Sequence, residues 1–81
     1  MSFNDRLIQA RGYRYPLTTE KLINGAWVAM ARFQEPRGVD MTARVQRHVE
    51  AVGGRVRLLR GDLQLAEWVE GEPAMEWEVA S

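Results

Sequence analysis

Leu22-Ile23-Asn24-Gly25-Ala26-Trp27-Val28-Ala29-Met30-Ala31-Arg32-Phe33 decides what kind of fold this chain adopts. Taken at the helical period, Leu22, Ile23, Ala26, Trp27, Met30 and Phe33 gather on one face. Thr18 or Thr19 then supplies an N-cap, Glu20 sits in the first turn, and Pro36 ends the helix near Gln34. Taken at period 2, Asn24-Gly25 is the strongest short hairpin signal, and Trp27, Ala29, Ala31 and Phe33 alternate behind it. The helix is the reading adopted. Both candidate strand faces are apolar, and the alanines at 26, 29 and 31 suit a helix better than a strand.

Working outward toward the N-terminus, Ser2 and Asp5 resemble a capping box, Phe3, Leu7 and Ile8 share one helical face, and Gly12 stops a short helix. Tyr13-Arg14-Tyr15-Pro16 reads as extended. On the other side, Glu35-Pro36-Arg37-Gly38 is a loop and Asp40 is the expected cap of the clearest helix. That helix carries Met41, Val45, His48, Val49 and Val52 on one stripe, and Gly53-Gly54 ends it. Beyond Gly54 the period becomes 2. Arg55-Val56-Arg57-Leu58 and Leu63-Gln64-Leu65 flank a Gly61-Asp62 turn. A regular two-residue loop sets Arg60 against Leu63, Leu58 against Leu65 and Val56 against Glu67. It thereby places Trp68 on the same sheet face as Arg55 and Arg57. Gly71-Glu72-Pro73 turns the chain again, and Met75, Trp77 and Val79 are expected to form a third strand. The expected fold is one small α+β domain over residues 1–81. Two to three helices, within about 2–53, pack on one face of a C-terminal three-stranded antiparallel β-meander at about 55–80.

The formal charge is zero, but the signs are segregated. Residues 1–60 hold eleven Lys/Arg against five Asp/Glu, a net of +6, and residues 61–81 hold six acids and no base, a net of −6. Such polarity points to partners or to internal pairing rather than to chemistry. It favours a homodimer, in which complementary halves meet. Cysteine is absent and His48 is the single histidine, so neither a disulfide, a thiolate nucleophile nor a zinc cluster is expected. No signal peptide or spanning segment is visible. The longest apolar run, Ala26–Ala31, falls far short of the about 20 residues that cross a bilayer, and a cytoplasmic protein without membrane contact is expected. No phosphate-binding glycine loop is present, and Gly53-Gly54 lacks that spacing. The expectation is no enzyme, no cofactor and no metal.

Arginine carries what functional signal there is. Arg37, Arg44, Arg47, Arg55, Arg57 and Arg60 fall close together with no lysine among them, and guanidinium suits bidentate phosphate or carboxylate recognition. Arg44, Arg47, Arg55 and Arg57 with Trp68 are the expected partner-binding surface. The acidic strand end, Glu67, Glu70, Glu72, Glu76 and Glu78, is the alternative. Met41-Thr42-Ala43-Arg44-Val45-Gln46-Arg47-His48-Val49-Glu50-Ala51-Val52-Gly53-Gly54-Arg55-Val56 is similar to two bacterial patterns. One is the recognition helix plus wing of small winged-helix regulators. The other is the last helix and following strand of Cro-like antitoxin regulators. Either resemblance implies DNA binding or dimerisation through that segment; the rest of the chain departs from both. The leading expectation is a small regulatory or inhibitor-type protein, of the sort mobile genetic elements encode, that binds a protein or nucleoprotein partner. The alternative is a DNA-binding regulator using residues 40–60, weighed against a near-neutral pI of about 6.6.

Overall fold

The computed structural model describes residues 16–34 and 41–77. Two hairpins flank one helix. Strand β1 (Leu17–Ile23) and strand β2 (Ala26–Phe33) form the first hairpin, helix α1 (Thr42–Val52) follows, and β3 (Arg55–Arg60) with β4 (Leu63–Val69) forms the second. All four strands join one antiparallel sheet in the order β2-β1-β3-β4.

This overturns the expected arrangement of two to three helices on a C-terminal three-stranded meander. The stretch 22–33 is a hairpin and not a helix. Asn24 and Gly25 both take positive φ, 51° and 82°, and close a two-residue turn whose twist matches the strands it joins. Local alanine preference is overridden because β1 is a central strand. Its Leu17 and Thr19 are fully buried, and the segment that follows the turn pairs back along it. Residues 73–77 form no strand. Instead Met75 packs into the core, and its backbone N–H donates to Gln46 Oε1 on the helix at 2.8 Å. The expected helix at 2–12, the Asp40 cap and Val79 lie outside the described residues. Met41 occupies the N-cap position with no side-chain cap bond.

Where the chain does follow its periodicity, it does so closely. Met41, Val45 and Val49 are buried beneath α1, with His48 and Val52 half-buried beside them. They meet Leu17, Val56, Leu58 and Trp68 from one face of the sheet to make the core. The helix has no basic residue in its last turn. Lys21 reaches over from β1 and donates to the Val52 carbonyl at 2.9 Å, setting a cation at the negative end of the helix dipole.

Each edge strand contains one extra residue. Thr19 opposes Ala31 and Glu20 opposes Ala29, so Met30 is a bulge in β2. Leu58 opposes Ala66 and Leu59 opposes Gln64, so Leu65 is a bulge in β4. The second bulge corrects another expectation. Beyond it Val56 faces Trp68, not Glu67, and the indole moves to the helix-covered side.

Candidate interaction surface

The sheet has two unlike faces. Leu17, Thr19, Val56, Leu58 and Trp68 point toward α1. The opposite face carries Thr18, Glu20, Leu22, Trp27, Ala29, Arg55, Arg57, Leu59 and Glu67, and no described helix or strand packs on it.

The centre of that second face is an ordered cluster. Glu20 and Arg57 are direct cross-strand partners between β1 and β3. Glu20 Oε1 accepts from Arg57 Nε at 2.7 Å and Nη2 at 2.6 Å. The same guanidinium lies over the Trp27 ring, 4.3 Å from its centroid. A planar cation is thus held by a carboxylate while it covers an indole, and both side chains of the ion pair are only 26% exposed. Arg55, at the outer end of β3, pairs with Glu67 of β4, and that hydrogen bond raises its pKa further above its ordinary value. Beside this cluster, at the Met30 bulge, lies a shallow depression of about 450 Å³ lined by Thr18, Glu20, Ala29, Met30, Ala31 and Arg32.

The five residues expected to share one surface do not. Arg44 and Arg47 lie exposed on the outer side of α1, in no ion pair with a described residue. Arg55 and Arg57 lie on the far side of the sheet, engaged by Glu67 and Glu20. Trp68 sits between the two, 4% exposed within the core. The alternative acidic residues are also dispersed. Glu67 holds Arg55, and Glu72 Oε1 accepts the Val69 backbone N–H at 2.9 Å to close the turn after β4. Glu70 and Glu76 are exposed, and Glu78 lies outside the described residues. Sequence reading missed Trp27 and Glu20 as site residues. Part of the signal was available, since Asn24-Gly25 read as a turn places Trp27 opposite Leu22; the pairing of β1 with β3, which brings Arg57 within reach of Trp27 across β1, has no such mark in the sequence.

His48 belongs to the helix–sheet junction. Its Nε2 lies 2.7 Å from Thr19 Oγ1, its ring meets Phe33 edge-on at 5.2 Å, and burial lowers its pKa from the usual 6.5. Among the described residues no three His, Cys, Asp or Glu side chains converge on a metal-sized space, and no helix is long and apolar enough to cross a membrane. No protein-family profile, no curated protein and no solved structure matches this chain.

Proposed function

We propose that this chain is a small non-enzymatic regulatory protein that acts by occupying a macromolecular partner, and that the sheet face bearing Trp27, Arg57 and Glu20 is its contact surface. The observation that carries the reading is the Trp27–Arg57–Glu20 stack. An aromatic side chain pre-ordered by its neighbours loses little freedom on binding, and Trp and Arg are both enriched at the energetic centres of protein interfaces. Arg55 and Glu67 beside it supply polar groups of both signs, as suits the rim of a protein contact. Two of the three arginines on that face, Arg55 and Arg57, are each paired with a glutamate, which fits a protein surface better than a polyphosphate.

A second reading rests on Arg44 and Arg47. Their position on the exposed side of α1, free of ion pairs with described residues, would suit phosphate contacts in a DNA-binding regulator.

Capture from a lysate of the encoding organism, with and without nuclease, separates the two. Trp27→Ala and Arg57→Glu should each lose a nuclease-resistant partner that Arg44→Glu with Arg47→Glu retains. The reverse pattern, with a nuclease-sensitive catch whose affinity falls steeply with salt, would establish the DNA reading and sink the first.

A further inference from the structure

Apart from the Met30 bulge and Arg32, the edge of the sheet at β2 carries none of the devices that protect an edge. Ala26–Phe33 contains no proline and a single charge, Arg32, and its outer side has no strand neighbour among the described residues. Of the five exposed large apolar residues among those described, Val28 and Met30 lie on this strand and Ile23 ends β1 just before its turn. From these features and the strand's register we infer that β2 is a self-pairing edge: two copies of the chain join through antiparallel β2 strands, with Trp27 of each opposite Arg32 of the other.

The Met30 bulge selects that register. Two copies joined edge to edge by a two-fold axis perpendicular to the sheet keep their faces, so a residue can oppose only one that points the same way. Ala26, Val28, Ala31 and Phe33 belong to the helix-covered face, being opposite Ile23, Lys21, Thr19 and Leu17. Trp27, Ala29 and Arg32 belong to the other, opposite Leu22, Glu20 and Thr18. Matching like with like across the bulge gives Ala26 with Phe33, Trp27 with Arg32, Val28 with Ala31, and Ala29 with Met30. The centre of that register lies between Ala29 and Met30, the midpoint of the eight residues of β2, so it uses the whole strand without overhang.

The side chains it juxtaposes are complementary. The one charge on β2 is brought to an indole, a favourable cation–π partner. Met30 of one copy, unbranched and adaptable, comes to the small Ala29 of the other, at the depression of about 450 Å³ floored by Thr18, Ala29 and Ala31. The occupant is therefore a second copy of this chain rather than an unrelated extended peptide. This inference does not rest on the partner-binding reading above, and its test uses the isolated chain, so the two can fail separately.

Sedimentation equilibrium from low micromolar to several hundred micromolar chain should show the mass rising toward twice 9.3 kDa. Val28→Lys and Met30→Lys, both at exposed positions, should return it to the monomer with unchanged circular dichroism, and Leu63→Lys on the opposite edge should leave it associated. A monomer throughout, or association that survives both β2 lysines, or that only Leu63→Lys abolishes, overturns the inference. Because the chain has no cysteine, a second measurement needs no background correction. Ala29→Cys and Met30→Cys preparations, mixed and mildly oxidised, should cross-link several-fold faster than either alone. Equal rates overturn the register even if the lysine variants fail to fold.

Discussion

Thr19 and His48 join the sheet to the helix by one short polar contact beside the apolar core. Thr19 is fully buried, so losing its partner leaves a hydroxyl or a ring nitrogen unsatisfied. Thr19→Val, which keeps shape and strand preference, should lower stability by about 1–3 kcal/mol in urea denaturation. His48 also makes stability pH-dependent, with a definite sign. Its folded pKa lies below 6.5, so the unfolded chain takes up the proton first as pH falls. The neutral ring's contribution is therefore complete above 6.5 and is lost as pH drops from there toward the folded pKa. The difference in stability between the parent and His48→Gln should shrink over that window. A difference that stays constant from pH 7.5 to pH 5.5, a window set by roughly one unit on either side of the ordinary imidazole pKa, would remove His48 as the cause.

At the scale of elements, turns and bulges decide more than the strands do. Gly25 and Gly53 both have positive φ, 82° and 69°, but for different stakes. Nothing lies near a Cβ built on Gly25, so Gly25→Ala should cost about 1 kcal/mol, from backbone conformation alone. Gly53, between α1 and β3, combines φ 69° with ψ −177°, a region that only glycine occupies readily, and a Cβ there would also run into the Glu70 carboxylate. Gly53→Ala should cost more, about 1–3 kcal/mol, and thermal melts of the two variants side by side would show the order. The apolar stripe of α1 and the β3–β4 turn at Gly61-Asp62 were legible in the sequence, because each has a period or a punctuation mark of its own. The first hairpin was legible only as a rival, outweighed by Ala26, Ala29 and Ala31. Those alanines are tolerated in β2 because it is the edge strand, where cross-strand packing is needed on one side only. The position of Trp68 was not legible. Leu63 and Leu65 alternate cleanly, and nothing in the residues says that Leu65 is an extra member that turns the indole inward. The candidate surface was half legible for the same reason: Arg55 and Arg57 were placed correctly together, but with the wrong aromatic.

At the scale of the whole molecule, the core among the described residues is a single layer between one helix and one sheet. Trp68 is the largest side chain in that layer. Trp68→Ala should remove about 3–5 kcal/mol, a large share of the about 5–15 kcal/mol available to a small domain. Circular dichroism should show the variant largely unfolded near body temperature, whereas Trp27→Ala, on the sheet face opposite α1, should melt within a few degrees of the parent. If Trp27→Ala also unfolds, that face is structural and its stack is no binding platform. The segregation of charge along the chain is partly dissolved by folding. Arg55 from the basic half and Glu67 from the acidic half are brought together between adjacent strands, so complementary charge is spent within one copy before any second copy arrives.

The two bulges also set where this chain can change its length. Removing Met30 would leave Ala29 and Ala31 consecutive opposite Glu20 and Thr19, and removing Leu65 would leave Gln64 and Ala66 consecutive opposite Leu59 and Leu58. Either shortened strand regains an unbroken ladder with every other side chain still on its own face. A one-residue deletion near the far end of β4, past Ala66, would instead carry Ala66 and Glu67 one step along and turn them over. Single-codon losses in this gene should therefore be tolerated at or beside positions 30 and 65 and purged elsewhere in the strands, a pattern that a deletion scan read out by soluble yield would reveal.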